Sequence, residues 1–167
     1  MDDTNKLPDW VKRQNEERAA EKARKDAEAQ ARHRAAVSVK SDGPGFWKRF
    51  TDRAVFDANA VKHLQGEELA ATASVSSGAE EALHLHVNRQ SVTYGPELSR
   101  MNLWYARGGA VIRCSYQAQP MRDITLMAQG ESVVALLNGD VYTAEELADH
   151  IIEWMAERVK AKRRRAS

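Results

Sequence analysis

Between Leu69 and Leu137, apolar residues recur at every second position, and turn-forming residues interrupt the pattern at short intervals. In a strand, successive side chains point to opposite faces, so the apolar residues of one face recur at every second position. In a helix they recur about every 3.6 residues. Short alternating segments separated by turns are typical of antiparallel strands that follow one another in space. This segment therefore predicts an antiparallel meander, and any fold for the chain has to be built around it.

The Gly108-Gly109 pair predicts the clearest hairpin in this segment. If the two glycines form a two-residue turn, each residue before the turn faces a defined residue after it. One face of the hairpin is then apolar and the other is mixed, and this separation supports the register. The apolar face pairs Tyr105 with Ile112, Leu103 with Cys114 and Met101 with Tyr116, while the mixed face pairs Trp104 with Arg113 and Asn102 with Ser115.

A second hairpin is predicted around a turn at Gly130-Glu131. Here both faces are apolar, and a strand that is apolar on two sides is usually covered on two sides, by its own chain or by a partner. The second face therefore predicts a contact surface or a second core. The register pairs Leu126 with Ala135 and Ile124 with Leu137 on one side, and Met127 with Val134 and Thr125 with Leu136 on the other.

Helical periodicity flanks the meander on both sides. Upstream, apolar residues from Phe46 to Leu64 fall in one arc of a helical wheel. Downstream, Thr143 and Glu146 have capping-box spacing ahead of a broad apolar stripe that ends at Val159. We therefore predict an α+β fold, in which an antiparallel β-meander of about five to seven strands is flanked by an N-terminal and a C-terminal amphipathic helix.

The sequence SDGPG predicts a boundary ahead of the first core helix. Ser41 or Asp42 can cap a helix, and Pro44 fits its first turn. Composition changes at the same place and again after the last helix. The predicted regions are a charged, Ala/Glu/Lys/Arg-rich helical arm at 1–40, the α+β domain at 41–159 and a basic tail at 160–167.

Between Arg13 and Ala36 the arm consists mainly of strong helix formers and has no large aliphatic residue. Opposite charges four residues apart each add a few tenths of a kcal/mol to an exposed helix. The alanines form a thin stripe that buries little apolar area, so we expect a solvated or frayed arm, with a coiled-coil-like seam as the alternative. The stripe comprises Ala19, Ala23, Ala27, Ala31 and Ala35.

Charge is distributed unevenly along the chain. Residues 41–157 contain nine basic and sixteen acidic side chains, a net charge of −7, so this region repels a phosphate backbone. The basic tail either associates with nucleic acid without reading its sequence or only complements the dipole at the end of the last helix. We expect weak binding to nucleic acid at most. The tail cations are Lys160, Lys162, Arg163, Arg164 and Arg165.

The motif LHLHV places His84 and His86 on one face of a strand. Two adjacent imidazoles suit a transition metal, but a zinc site needs a third ligand. Leu83, Leu85 and Val87 occupy the other face, which is the one that a core requires. A hairpin with the next strand is expected to place Val92 and Tyr94 on that same face and Thr93 opposite His86. We therefore expect both histidines to face solvent and predict no metal site. A metal-dependent enzyme that uses the two histidines is the least favoured alternative.

Sequence motifs of catalysis are absent. The chain contains no phosphate-binding loop, nucleophile elbow, paired-cysteine motif or His-Glu-x-x-His helix. The single cysteine, Cys114, falls on the core face of the first hairpin, where a packed thiol is expected. Because no apolar run approaches the roughly 20 residues that span a bilayer and no secretory signal is evident, we expect a cytoplasmic protein with no membrane partner and no cofactor.

The second apolar face is the feature that most favours a function. It predicts a small cytoplasmic non-enzymatic interaction domain that acts through self-association or a protein partner. Nucleic-acid association through the tail is the alternative. On this face the register also allows the Arg113 guanidinium to stack on the Trp104 ring. No catalytic residue is predicted, and the residues expected to bind a partner are Trp104, Arg113, Met127, Val134 and Leu136.

Overall fold

In the computed structural model of the chain, residues 8–63, 69–89 and 97–164 are described. The chain divides into two compact units, Met1–Val37 and Ser38–Ser167. Helix α1 spans Asp9–Ala60 and is followed by a short 3-10 helix, Val61–His63. All strands described below belong to the second unit.

Pro44 lies inside helix α1, so the predicted start of a separate core helix at Ser41 or Asp42 is wrong. An interior proline removes one main-chain hydrogen bond, and its ring clashes with the Cβ of the preceding residue in helical geometry. That residue is Gly43, which has no Cβ. The aromatic side chains that follow are buried, and their packing keeps this turn helical against its local propensity.

Within the first unit, α1 is an exposed helix. Ion pairs one turn apart join Glu21 to Lys25 and Arg24 to Glu28, with 2.7 and 3.8 Å between the charged atoms. All four side chains are more than half exposed, so each pair contributes only a few tenths of a kcal/mol. The exposed alanines of the predicted stripe are Ala19, Ala23, Ala27 and Ala31.

The second unit contains β1 (Leu69–Ser76), β2 (Glu81–Arg89), β3 (Glu97–Tyr105), β4 (Val111–Tyr116), β5 (Gln119–Pro120), β6 (Ile124–Gln129), β7 (Ser132–Leu137), β8 (Asp140–Tyr142) and helix α2 (Ala144–Arg164). The strands form one antiparallel sheet in the order β1-β2-β3-β4-β6-β7-β8, and β5 pairs with β4 outside this path. The predicted α+β fold with an antiparallel sheet between two helices is confirmed.

Both predicted hairpin registers are confirmed, but the first turn is not the predicted Gly108-Gly109 pair. The N–H of Gly109 donates to the Ala106 carbonyl at 2.8 Å, so Arg107 and Gly108 are the central residues of that turn. Gly108 and Gly130 have φ angles of 78° and 61°, in the left-handed region that glycine adopts without strain. These turns determine which residues face each other across the strands. The structure pairs Tyr105 with Ile112, Leu103 with Cys114, Trp104 with Arg113, Leu126 with Ala135, Met127 with Val134 and Thr125 with Leu136.

The core lies between one face of the sheet and the helices of the second unit. The Trp47 ring of α1 stacks on the Tyr105 ring of β3, with 5.4 Å between ring centroids. Phe56, which falls outside the predicted arc, is exposed, and Leu64 lies outside the described residues. The arc is otherwise confirmed, because its buried members are Phe46, Trp47, Phe50, Ala54, Ala58 and Val61.

Helix α2 begins with the predicted capping box. The main-chain N–H of Thr143 donates to Oε2 of Glu146 at 2.9 Å, and the N–H of Glu146 donates to Oγ1 of Thr143 at 3.2 Å. These bonds satisfy two donors that have no partner within the helix. The bond from the N–H of Thr143 to Oε2, together with one from the Thr143 hydroxyl to the same oxygen at 3.0 Å, lowers the pKa of Glu146 below its usual value.

Replacing Thr143 with alanine is expected to lower the free energy of unfolding by about 1 kcal/mol, because the N–H of Glu146 loses its acceptor. Urea denaturation followed by circular dichroism measures the change. Thr143→Ser is the matched control, since it keeps the hydroxyl, and it should retain most of the stability. An equal loss in both variants would show that the methyl group, not the hydrogen bond, is responsible.

Candidate interaction face

Side chains that alternate with the core residues point away from α2 and from the second-unit residues of α1, and they form what we call the open face of the sheet. Its polar half lies on β1, β2 and most of β3, and its apolar half lies on β4 to β8 together with Trp104 of β3. Because strand residues alternate between faces, the register assigns every residue to one side. We call the apolar group on the open face the apolar patch: Trp104, Val111, Met127, Val134, Leu136 and Val141.

All five residues predicted to bind a partner lie on the open face. Trp104 and Arg113 face each other across β3 and β4, and Met127 and Val134 face each other across β6 and β7. Strands β4 and β6 are hydrogen-bonded neighbours, so the two groups share one continuous surface. Leu136 lies one pair along from Val134 on the same side.

Two members of the apolar patch were not predicted from the sequence. Val111 faces Thr125 across β4 and β6, and Val141 faces Leu136 across β7 and β8. Together these four residues form one row across four strands, since Thr125 also faces Leu136. Strand β8 has only three residues, too few for a recognisable alternation.

The members of the patch differ in exposure. Val111 and Met127 are each 39% exposed and Val141 is 47% exposed, whereas Trp104 and Leu136 are partly buried. Val134 is only 6% exposed. The side chains that a partner can reach are therefore mainly those of Val111, Met127 and Val141.

The stacking of Arg113 on Trp104 that the register allows does not occur among the cation–ring contacts of the described residues. Arg113 instead forms an ion pair with Glu80, in the turn between β1 and β2. A carboxylate attracts the guanidinium more strongly than the face of an indole ring does. The pair neutralises the charge at this border of the apolar patch.

His84 belongs to a polar row on the open face. Its Nδ1 lies 2.8 Å from Oδ1 of Asn102, and its Nε2 lies 3.4 Å from Oγ of Ser76. The Asn102 oxygen can only accept, so Nδ1 of His84 is the donor in this bond. This row fixes the orientation of the imidazole by hydrogen bonds between strands.

His86 is exposed on the open face, as predicted, but it pairs with Arg100 and not with Thr93. The expected hairpin partners of β2, Val92 and Tyr94, lie outside the described residues. In the described part of the chain, no group of three or more His, Cys, Asp or Glu side chains has the geometry to hold a metal ion.

Cys114 is buried on the core side of β4, as the register predicted. Burial raises the pKa of its thiol to about 12, and the nearby Asp123 carboxylate adds to the effect. A thiol with such a pKa is protonated at neutral pH and is a poor nucleophile.

Two carboxyl groups meet a single arginine where α1 and α2 come together. Nε of Arg53 lies 2.7 Å from Oδ1 of Asp149 and 3.0 Å from Oδ1 of Asp57. Burial and the neighbouring Asp149 raise the pKa of Asp57 to about 6. Burial opposes ionisation of Asp149, but hydrogen bonds from Arg53 and Asp57 lower its pKa below the usual value. The group is a structural clamp between the two helices.

A shallow groove of about 350 Å³ lies between β8 and α2. Glu146 on its wall is engaged in the helix cap and Asp149 in the clamp, so neither is free to bind a cation. The His150 ring lies over Tyr142, with 5.0 Å between ring centroids. The groove therefore has fewer side chains available for binding than the open face has. Its remaining lining residues are Val141 and Glu153.

The side chains of the basic tail lie outside the described residues, although α2 continues to Arg164. Neither helix in the described part of the chain combines the length and apolar character that a membrane crossing requires. Comparisons with protein families, with curated proteins and with solved structures found no match to this chain.

Proposed function

We propose that the protein is a small cytoplasmic non-enzymatic interaction domain, and that its open face binds the open face of a second copy. The observation that carries this proposal is the apolar patch, which lies on the face of the sheet opposite the one that packs on α2 and on the second-unit residues of α1. Contiguous apolar surface of this kind is typical of interaction sites.

The size of the face suits a dimer. Strands about 4.8 Å apart, each with about six residues at 3.3 Å per residue, give the seven-stranded path an area of roughly 650 Å². A standard protein interface buries roughly 800 Å² on each partner. The apolar patch would form the interface centre and the histidine row its polar border, the usual arrangement of such contacts.

Charge favours a second copy over an oppositely charged partner on this face. The apolar patch carries no charge, and the Arg113 cation at its border is paired with Glu80. A twofold contact therefore desolvates no unpaired charge at its centre. The net charge of −7 over residues 41–157 opposes association, but salt screens it over about 8 Å at physiological ionic strength.

The double variant Met127→Glu with Val141→Glu is expected to halve the mass of the assembly while leaving the fold intact. Both side chains are substantially exposed, so carboxylates are tolerated in the separated chain but not in a dry interface. Sedimentation equilibrium measures the mass, and circular dichroism verifies the fold. Val134 is unsuitable for this test, because a carboxylate at a buried position would destabilise the domain itself.

The matched control is Val37→Glu with Phe56→Glu, which replaces two exposed apolar residues of α1 and changes the charge equally. The control is expected to keep the wild-type mass. If the patch variant and the wild type have the same mass, the open face does not bind a second copy and the proposal fails.

A further inference from the structure

Strand β1 forms one border of the sheet within the described residues. It pairs with β2 over all eight residues of Leu69–Ser76 without a bulge. On its other side the order of the sheet ends. A border strand presents a row of main-chain N–H and C=O groups that can pair with another strand.

Nothing in β1 protects this row. Its sequence, LAATASVS, contains no charged residue, proline or glycine. Proteins usually protect an edge strand with lysine, proline, a bulge or a very short length. The opposite border, β8, has such protection, since it is three residues long, contains Asp140 and leads directly into the cap of α2. The two borders therefore differ, and only β1 is suited to accept a strand.

The side chains of β1 are complementary to a second copy of the same strand. In an antiparallel pair with Thr72 on the twofold axis, Thr72 faces its own counterpart and Leu69 faces Val75 of the other copy. Threonine pairs and aliphatic pairs are both favourable across strands, and no like charges meet. Val75 lies on the core side of the sheet yet is 49% exposed.

We infer that β1 pairs with β1 of a second copy and joins two sheets into one. The contact ends at two copies, because each copy has one border that can accept a strand and the twofold axis pairs these two borders with each other. It uses main-chain groups at the sheet border, so it does not depend on the open face. If both contacts form and their twofold axes intersect at right angles, the assembly contains four copies.

The variant Val75→Lys tests this inference, because it places a charge opposite Leu69 of the other copy while remaining exposed in the separated chain. We expect its mass to be half that of the wild type. We also expect main-chain amides of β1 to exchange with deuterium at least about tenfold faster than in the wild type. Phe56→Lys, which adds the same charge at an exposed site of α1, is the control and should change neither quantity.

A second variant, Thr72→Lys, brings two like charges together on the proposed axis and gives the same test if Val75→Lys does not fold. An unchanged mass and unchanged exchange in a folded variant would overturn the inference. This test can be separated from the test of the open face. The variant Met127→Glu with Val141→Glu should retain the strand pairing. Only the triple variant, which also carries Val75→Lys, should be a monomer. A monomeric patch variant without the β1 substitution would also contradict strand pairing.

Discussion

Replacing Gly43 with alanine is expected to lower the free energy of unfolding by about 2 kcal/mol, the cost of overpacking a close contact. A Cβ at this position would lie 2.5 Å from the hydroxyl oxygen of Tyr105. The side chain cannot move away easily, because its ring is fully buried and stacks on Trp47, and its hydroxyl oxygen accepts a hydrogen bond from the N–H of Gly108 at 3.2 Å. Relieving the clash disturbs the contact between α1 and the β3–β4 hairpin.

Gly45→Ala is the matched control on the same turn of α1. A Cβ there meets only the end of the Arg49 side chain, at 3.8 Å. We expect this variant to be more stable than the wild type by about 0.5–1 kcal/mol, because alanine has the higher helix propensity. Thermal and urea denaturation of both variants provide the comparison. Equal effects at the two positions would show that Gly43 is not required for the Tyr105 contact.

Replacing Asp57 with asparagine is expected to stabilise the fold at pH 8 and to have little effect at pH 4. The pKa of Asp57 is about 6 in the folded protein, above its usual 3.8, because the carboxyl group is buried and lies beside Asp149. The folded state therefore binds a proton more tightly than the unfolded state does. The stability that this proton provides is complete below about pH 4 and is lost as the pH rises through about 6.

The expected gain from Asp57→Asn at pH 8 is about 1 kcal/mol. The full rise of the Asp57 pKa from 3.8 to about 6 corresponds to roughly 3 kcal/mol in the free energy of unfolding. The partners Arg53 and Asp149 are 39% and 50% exposed, and solvent screens their interactions with the carboxylate. Urea denaturation between pH 4 and pH 8 measures the difference.

Asp52→Asn is the control for this experiment, because Asp52 is on the same helix but forms an exposed ion pair with Lys48. It is expected to change stability by less than about 0.5 kcal/mol at any pH. A gain in Asp57→Asn that is the same at pH 4 and pH 8 would contradict the proposed origin of the effect.

The hairpins could be predicted from the sequence because the residues that determine them lie close together in the chain. A pair of turn residues sets the register, and the alternation of side chains then separates the two faces. Trp104, Arg113 and Met127 were therefore assigned to the correct side of the sheet. The capping box of α2 is similarly local, since Thr143 and Glu146 lie within one helical turn.

Features that depend on distant contacts did not follow from the sequence. The ion pair between Glu80 and Arg113 joins residues 33 positions apart, and nothing near Arg113 indicates its partner. The continuation of α1 through Pro44 depends on burial of the side chains that follow, which a rule for helix starts does not consider. The adjacency of β4 and β6, with β5 to one side, is a property of the sheet order and placed Val111 in the patch.

The most direct test of the proposed open-face contact is the ratio of two masses, measured by sedimentation equilibrium under the same conditions. The wild-type assembly, built from chains of 18.7 kDa, is compared with the folded Met127→Glu, Val141→Glu variant. Self-association through the open face predicts a wild-type mass twice that of the variant, whether or not strand β1 also pairs. Equal masses, including the case in which both proteins are monomers, would contradict it.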